Sequence, residues 1–258
     1  MSLNQHEAIV GLVDLLGYSA DLMSVEFDAS HLTGRKLKLE ALRLLIEDIA
    51  RQKCAIDANI YWTSDTCVVY RHFDATHDVQ KTMEEANESL RQVATVLGIL
   101  QCTFAAEKYF SRGGIALGSL VGERGEEPFG PGLVRAAEIE KKVIVDPKVG
   151  VSGRLAGPAI NLLVPNTDRR MFLLDFPLPS IDYLSLAELC SDFGDPRSTL
   201  AWHADSVHTF VEHAYRDHAV ARKAAWLLDY HNWHIRSRGG YEDLIVPLAP
   251  PNESQDNG

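Results

Sequence analysis

Two aspartates stand at the ends of apolar runs: Asp14 in Ile9-Val-Gly-Leu-Val-Asp14-Leu-Leu-Gly-Tyr-Ser19, and Asp65 in Tyr61-Trp-Thr-Ser-Asp65-Thr-Cys-Val-Val-Tyr70. Taken singly, an Asp at a strand end is commonly a turn former or a helix cap. Two carboxylates delivered to one point could instead hold two Mg²⁺ or Mn²⁺ ions, because these hard cations prefer oxygen ligands and bridge the oxygens of a triphosphate. The turn after Asp14 adds a second element of the same chemistry. Gly17 permits close backbone approach, so the N–H groups of Gly17, Tyr18 and Ser19 could cradle phosphate oxygens.

The elements that would position these residues follow from periodicity. Residues 7–14 are expected to form a buried strand, and residues 39–52 a helix with Leu39, Leu42, Leu45, Ile46 and Ile49 on one face. Residues 55–62 and 66–73 are predicted to form a hairpin whose turn carries Ser64-Asp65. A long helix is expected over 77–106, where Val79, Met83, Ala86, Leu90, Val93, Leu97 and Leu100 form one stripe suited to packing on a sheet. Gly113 and Gly114 open a further strand. Gly130-Pro131-Gly132 starts a helix to Lys142, with Pro at a tolerated position, and residues 143–145 and 171–176 are expected as strands. The order β, α, β-hairpin, α, β, α, β predicts an α+β fold with a mixed sheet flanked by helices, and the first strand is not followed by a GxGxxG turn. From about 180 the pattern turns helical, including 203–230 with Val207, Phe210, Val211, Ala214, Ala221, Ala225 and Leu228 on the apolar side. The expected division is 1–178 for the sheet domain, 179–246 for a C-terminal helical extension packed on it, and a disordered tail over 247–258.

Composition narrows the partners. The chain of 258 residues is 46% hydrophobic and 24% charged, values of an ordinary globular protein, with a formal net charge of -11. Such a surface repels nucleic acid and anionic membranes over most of its area, so neither is expected as a partner, and an anionic substrate would need local cations or bound metal. The first residues lack the basic and apolar blocks of a secretory leader, and no apolar run is long enough to span a bilayer. Cys54, Cys67, Cys102 and Cys190 show no CxxC pairing, which argues against a zinc site and a disulfide framework. A cytoplasmic location is expected.

A third segment gives the two aspartates a context: Arg112-Gly-Gly-Ile-Ala-Leu-Gly118-Ser-Leu-Val-Gly122, followed by Phe129-Gly-Pro-Gly-Leu-Val-Arg-Ala-Ala-Glu-Ile-Glu140. With these in place, Asp14-Leu-Leu-Gly-Tyr-Ser19 resembles the Asp-Ile-x-Gly-Phe-Ser/Thr turn of class III nucleotidyl cyclases. Ser64-Asp65 resembles their Gly-Asp hairpin, and the Arg112 segment resembles their Arg-x-Gly-Ile-x-x-Gly strand with its following helix. The resemblance spans roughly residues 8 to 176 and implies a ferredoxin-like cyclase core. It further implies that Asp14 and Asp65 bind two metal ions with the backbone carbonyl of Leu15 as a further ligand, and that Arg124 lies near a phosphate-contacting position.

The departures from the purine cyclases are specific. Tyr61 replaces a base-reading Lys, and Val134 and Glu138 replace an Asn and an Arg that steady the transition state; Arg135, one residue on from Val134, points about 100° away on a helix. These changes, with the run Trp226-Leu-Leu-Asp-Tyr-His-Asn232, resemble the pyrimidine cyclases of bacterial Pycsar anti-phage systems. That likeness implies a homodimer that converts UTP, or alternatively CTP, to a cyclic nucleotide read by a separate cyclic-nucleotide-binding effector. Tyr61 would then restrict the base pocket; taken without the resemblance it is equally an aromatic of the core. A purine cyclase, or a nucleotide-binding relative without turnover, are the alternative readings.

Ten histidines invite a metal reading. His203, His208, His213 and His218 are five apart and walk around a helix, so they do not share a face. His231 and His234 are expected as a solvated or capping pair.

Overall fold

A computed structural model describes residues 6–16, 29–164, 167–174, 178–187, 195–214 and 218–247. Gly17, Tyr18, Ser19 and the tail from 248 onward lie outside the described residues.

The first strand, β1 (His6–Leu15), is buried on both faces and sits at the centre of the sheet. After it come helix α1 (Ala29–Asp48), which runs on as a π-turn over Ile49–Lys53, and the hairpin β2 (Asn59–Thr63) and β3 (Thr66–Phe73). Helix α2 (Val79–Ala106) then leads into β4 (Ser111–Leu120). These elements give the order β2-β3-β1-β4, with every neighbour antiparallel. That is the ferredoxin-like βαββαβ arrangement.

Helix α3 (Pro131–Glu138) continues as a π-turn over Ile139–Val143, and β5 (Val149–Val151) pairs parallel with β4. Helix α4 (Gly153–Asn161), the short strands β6 (Phe172–Leu173) and β7 (Ser180–Ile181) and helix α5 (Tyr183–Ala187) follow, and the seven-stranded sheet reads β2-β3-β1-β4-β5-β7-β6. Helices α6 (Pro196–Ala214) and α7 (His218–Arg238) complete the chain with a 3₁₀ turn at Glu242–Leu244. The fold is therefore α+β, a mixed sheet flanked by helices.

Strand alternation divides the core. Ile9, Val13 and Val69 pack with Ile46, Leu90 and Leu97 under α1 and α2. On the opposite face Ala8, Val10, Val68 and Tyr70 pack with Ala136 and Ile139 of the α3 segment. A third cluster joins α6 and α7 through Val207, Val211, Leu227 and Leu228.

Helix α3 can lie close on β4 because glycine faces glycine: a Cβ at Gly118 would sit 2.7 Å from the Gly132 Cα. Gly130 begins that helix at φ 151, where a Cβ would also strike the Ser119 carbonyl oxygen at 2.6 Å. Pro131 then supplies a first-turn residue with no N–H to satisfy. Helix α2 is opened by Asp78, whose carboxylate accepts from the backbone N–H groups of Gln80 and Lys81.

Several expectations are corrected. Helix α1 begins ten residues before 39, and Leu45 is 43% exposed while Leu39, Leu42, Ile46 and Ile49 are buried. Steps of three and four place those residues inward, and Leu45 falls off their stripe. Val79 and Met83 of α2 are exposed, whereas the second half of that helix is buried nearly all round, because α5 and α6 cover the side turned away from the sheet. Residues 143–145 form no strand. Ile144 instead turns inward against Gly150, and the strand forms at Val149–Val151. The expected strand over 171–176 is reduced to Phe172–Leu173 among the described residues. The expected helix over 203–230 is two helices, and its phase changes between them: Ala224, Leu227 and Leu228 are buried and Ala225 is exposed. His231 and His234 are buried, not solvated.

Candidate active site

Antiparallel pairing brings the two aspartates together. In the ladder Asp14 faces Thr66 on one side and Arg112 on the other, and the hairpin turn carrying Asp65 is tied to the end of β1 by Leu15 N donating to the Asp65 carbonyl oxygen at 3.2 Å. Leu16 N donates to the Phe110 carbonyl at 2.7 Å, fixing the same strand end against the entry of β4. The hairpin itself is held from α1. Arg43 donates to the Ser64 carbonyl and its guanidinium lies 5.1 Å from the Trp62 ring centre. Ser64 has φ 35, a conformation that costs an L-residue some energy and that a glycine would adopt freely.

Even-numbered residues of β1 and β3 face α3, so Asp14, Thr66 and Arg112 share that face. Glu140, from the π-turn after α3, descends onto it. Its carboxylate is 3% exposed and lies 2.6 Å from Arg112 Nε. Thr66 Oγ1 is 3.4 Å from Asp14 Oδ1, a weak hydrogen bond.

The charges in this cluster are unbalanced. Burial raises the Asp14 carboxyl above the ordinary Asp range and the Asp65 carboxylate pushes it the same way; Arg112, Thr66 and Lys141 oppose this and do not prevail. Glu140 is also raised, by burial above all, with the Asp14 charge adding to it against Arg112 and Lys141. One guanidinium is thus shared between Asp14 and Glu140, both of which are pressed toward protonation. A cation placed between Asp14 and Asp65 would relieve this repulsion, so the residues present fit divalent metal, with Asp14 and Asp65 as the carboxylate ligands. Among the described residues no cluster of three or more His, Cys, Asp or Glu side chains is placed to hold an ion, so further ligands would have to come from backbone, such as Leu15, from substrate or from water.

The remaining candidates fall in different places. Tyr61 pairs with Val68 on β2, is half-buried and packs at the rim of the core under α3. It lies on the same face as Asp14, two strands across and one pleat repeat along, roughly 12 Å away from strand spacings. Arg124 lies at the other end of the sheet, in a cleft of about 930 Å³ with His6, Phe73 and Gly122. The register His6↔Leu120 and Asp14↔Arg112 sets that end eight residues of β1 away, about 27 Å, so one chain does not bring Arg124 to the aspartates. Val134 is 59% exposed, and Glu138 pairs with Lys142 at 2.8 Å. Arg135 donates to the Leu117 carbonyl at 3.0 Å and lines a cleft of about 610 Å³ with Glu138, Lys142 and Arg154.

Sequence reading did not single out Glu140. Its signal was a carboxylate two residues beyond Glu138 at the end of an apolar helix face, and only the π-turn shows that it points inward. His203 and His231 join a buried chain, and among the described residues no histidine belongs to a metal set: Tyr183 Oη to His203 Nε2 at 2.7 Å, His203 Nδ1 to His231 Nδ1 at 3.0 Å, and His231 Nε2 to the Leu244 carbonyl at 2.9 Å.

No protein-family model matches the chain, and no curated protein sequence matches it. Among solved structures it is similar to the adenylyl cyclase CyaB from P. aeruginosa, at 15% identity and a TM-score of 0.42, covering 69% of this chain and 92% of that one. A class III adenylyl cyclase-like ATP-binding protein from Pseudomonas aeruginosa is similar at 14% identity and a TM-score of 0.49, covering 72% of this chain and 40% of that one. The guanylyl cyclase Cya2 is similar at 13% identity and a TM-score of 0.33, covering 70% of this chain and 92% of that one. Among the described residues no helix is long and apolar enough to cross a membrane.

Proposed function

We propose that the chain is a nucleotide cyclase acting on a pyrimidine triphosphate, with UTP favoured over CTP and 3′,5′-cyclic UMP and pyrophosphate as products. The observation that supports it most is the meeting of Asp14 and Asp65 at one strand edge, where their mutual repulsion calls for a cation. When bound, two Mn²⁺ or Mg²⁺ ions would lower the pKa of the ribose 3′-hydroxyl and offset the charge of the departing pyrophosphate. Arg112, paired with Glu140, faces Asp14 across the ladder and offsets part of its charge, and Arg43 on the Ser64 carbonyl steadies the turn that carries Asp65. Tyr61 would limit the base pocket to one ring and offer its hydroxyl to a polar base edge.

In this reading residues 1–178 form the catalytic unit, and residues 179–246, which include β7, an extension packed on it. The site is shared between two copies: Asp14 and Asp65 come from one protomer and Tyr61 from the other, which gives two equivalent sites. If Arg124 contacts the triphosphate it does so from a partner, given its distance within one chain. The product would act as a signal of phage infection read by a separate effector, as the Pycsar resemblance implies.

Incubation with each of the four triphosphates and Mn²⁺, with products separated by mass, tests the activity. Cyclic UMP or cyclic CMP is expected, and cyclic AMP or GMP alone would overturn the pyrimidine assignment. Mixing inactive Asp65→Ala with weakened Tyr61→Ala should raise turnover, at one site of a mixed dimer, above that of either variant alone. A second reading, nucleotide binding without turnover, rests on exposed Val134 and on Glu138 being engaged by Lys142 where the purine cyclases carry Asn and Arg. It would be supported by saturable triphosphate binding with no cyclic product.

A further inference from the structure

The last described residues form a strap. Gly239 and Gly240, at φ 67 and φ 80, turn the chain back after α7, and residues 241–246 lie against that helix. Asn232 grips the strap twice: its Nδ2 donates to the Val246 carbonyl at 2.9 Å and its Oδ1 accepts from Val246 N at 3.0 Å. His231 Nε2 meets the Leu244 carbonyl at 2.9 Å, and Asp243 pairs with Arg197 of α6 at the surface. Val246 is buried, while the 3₁₀ turn before it carries no buried residue.

The strap is coupled to an imidazole pair whose protons the geometry fixes. The Leu244 carbonyl can only accept, so His231 Nε2 carries the hydrogen and, in a neutral ring, Nδ1 is bare. His203 Nδ1, 3.0 Å away, must then donate, which leaves His203 Nε2 to accept from the Tyr183 hydroxyl at 2.7 Å. Ring centres 5.1 Å apart put the two Nδ1 atoms between the rings, edge to edge, as such a bond requires. Every site in this chain is matched only while both rings are neutral. One added proton turns Tyr183 into an acceptor and takes the His203 acceptor from its hydroxyl hydrogen; a second sets N–H against N–H. The surrounding groups offer no compensating charge. Cys102 of α2, Tyr183 of α5 and Tyr230 of α7 face His203 as neutral groups. Asp182 is taken by Tyr230 and Ser185, with His234 Nδ1 at 3.6 Å; Asp243 is taken by Arg197, and Glu242 accepts from Gly240 N. Burial above all, with the neighbouring imidazoles adding to it, holds both histidines below the ordinary range.

We propose that the His203–His231 pair is a pH-sensitive latch that holds the strap on α7 while both rings are neutral and lets it lift when the pair takes up a proton. His231 is the ring that opens to water, because the strap over its Nε2 hangs from a two-glycine turn whereas His203 is enclosed by α2, α5 and α7. The latch is independent of the cyclase reading. Hydrogen–deuterium exchange of the full chain at pH 7.5 and 5.5, with each rate divided by the intrinsic rate at that pH, is the measurement. Protection of the Leu244, Ile245 and Val246 amides should fall about ten-fold, the factor by which an exposed imidazole of pKa about 6.5 takes up protons over that interval. β1 should stay at least a hundred-fold better protected than the strap at both pH values, as local opening requires. His231→Gln keeps a donor for the Leu244 carbonyl and cannot be protonated, so its strap should show no pH step. Ring ¹⁵N shifts of the wild type test the pair without any variant: at pH 7.5 His203 should be the Nδ1–H tautomer and His231 the Nε2–H tautomer. Unchanged strap protection, equal protection of strap and β1, a step that survives in His231→Gln, or the opposite tautomers would each overturn the proposal.

Discussion

Replacing Asp14 by Asn should stabilise the metal-free protein while abolishing cyclisation. Cross-strand geometry puts the carboxylates of Asp14 and Asp65 on the order of 6 Å apart, and their repulsion there is about 0.7 kcal/mol at the permittivity of water and about 2.8 kcal/mol at an effective value of 20. Arg112 and Lys141 return part of this, yet the Asp14 carboxyl remains raised, so its ionisation opposes folding. A net gain of about 1 kcal/mol is expected for Asn, or roughly 2–4 °C in Tm for a chain of this size. The pH dependence has a defined sign. A carboxyl raised in the folded state favours its protonated form there, so its contribution is intact below the unfolded value of about 3.9 and is lost as pH rises through the folded value. The difference between wild type and Asp14→Asn should therefore be small near pH 3.5 and full at pH 7. Mn²⁺ should reverse the order by binding wild type and not the variant, raising wild-type stability by about 2.7 kcal/mol at a hundred times its Kd. Urea denaturation at several pH values, with and without Mn²⁺, measures both effects. A metal-free Asp14→Asn less stable than wild type, or one stabilised equally by Mn²⁺, would refute the reasoning.

Three further outcomes are expected. Tyr61→Ala should lose pyrimidine cyclisation by the equivalent of about 1–3 kcal/mol and admit ATP and GTP more readily, read as relative kcat/KM for the four triphosphates; an unchanged pyrimidine preference would make Tyr61 core packing only. Glu140→Ala removes a carboxyl that burial already raises and leaves Arg112 to pair with Asp14, so it should raise the Mn²⁺ concentration needed for activity, read as the midpoint of a Mn²⁺ titration. The buried His203 and His231 are both held below the ordinary His range, by burial above all. Their contribution is therefore present above about pH 6.5 and lost as pH falls, at up to about 1.4 kcal/mol per pH unit for each, which urea midpoints between pH 7.5 and 5.5 would show.

The elements around the site were legible in the sequence because each carries a local signature. β1 is a continuous apolar run, the β2–β3 hairpin has a two-residue turn, and α3 opens with Gly-Pro-Gly. The aspartates could be read as a pair because each ends such an element and because their segments, with the Arg112 segment, resemble the motifs of class III cyclases. What lay beyond the sequence depends on non-local packing. Periodicity could not show that Arg112 falls opposite Asp14, since that follows from the register of strands nearly a hundred residues apart. Nor could it show that a π-turn swings Glu140 under Arg112, or that Leu45 is left outside while the far half of α2 is enclosed. The same holds for Arg124: its place in the sequence sits near that of a phosphate-binding residue, but β4 carries it away from Asp14 along the full length of the sheet. Local patterns determine which segments become strands and helices, because apolar spacing acts within one element. Which charges end up sharing a face is decided only when the register and the helix seats are set, because those are properties of contacts between elements.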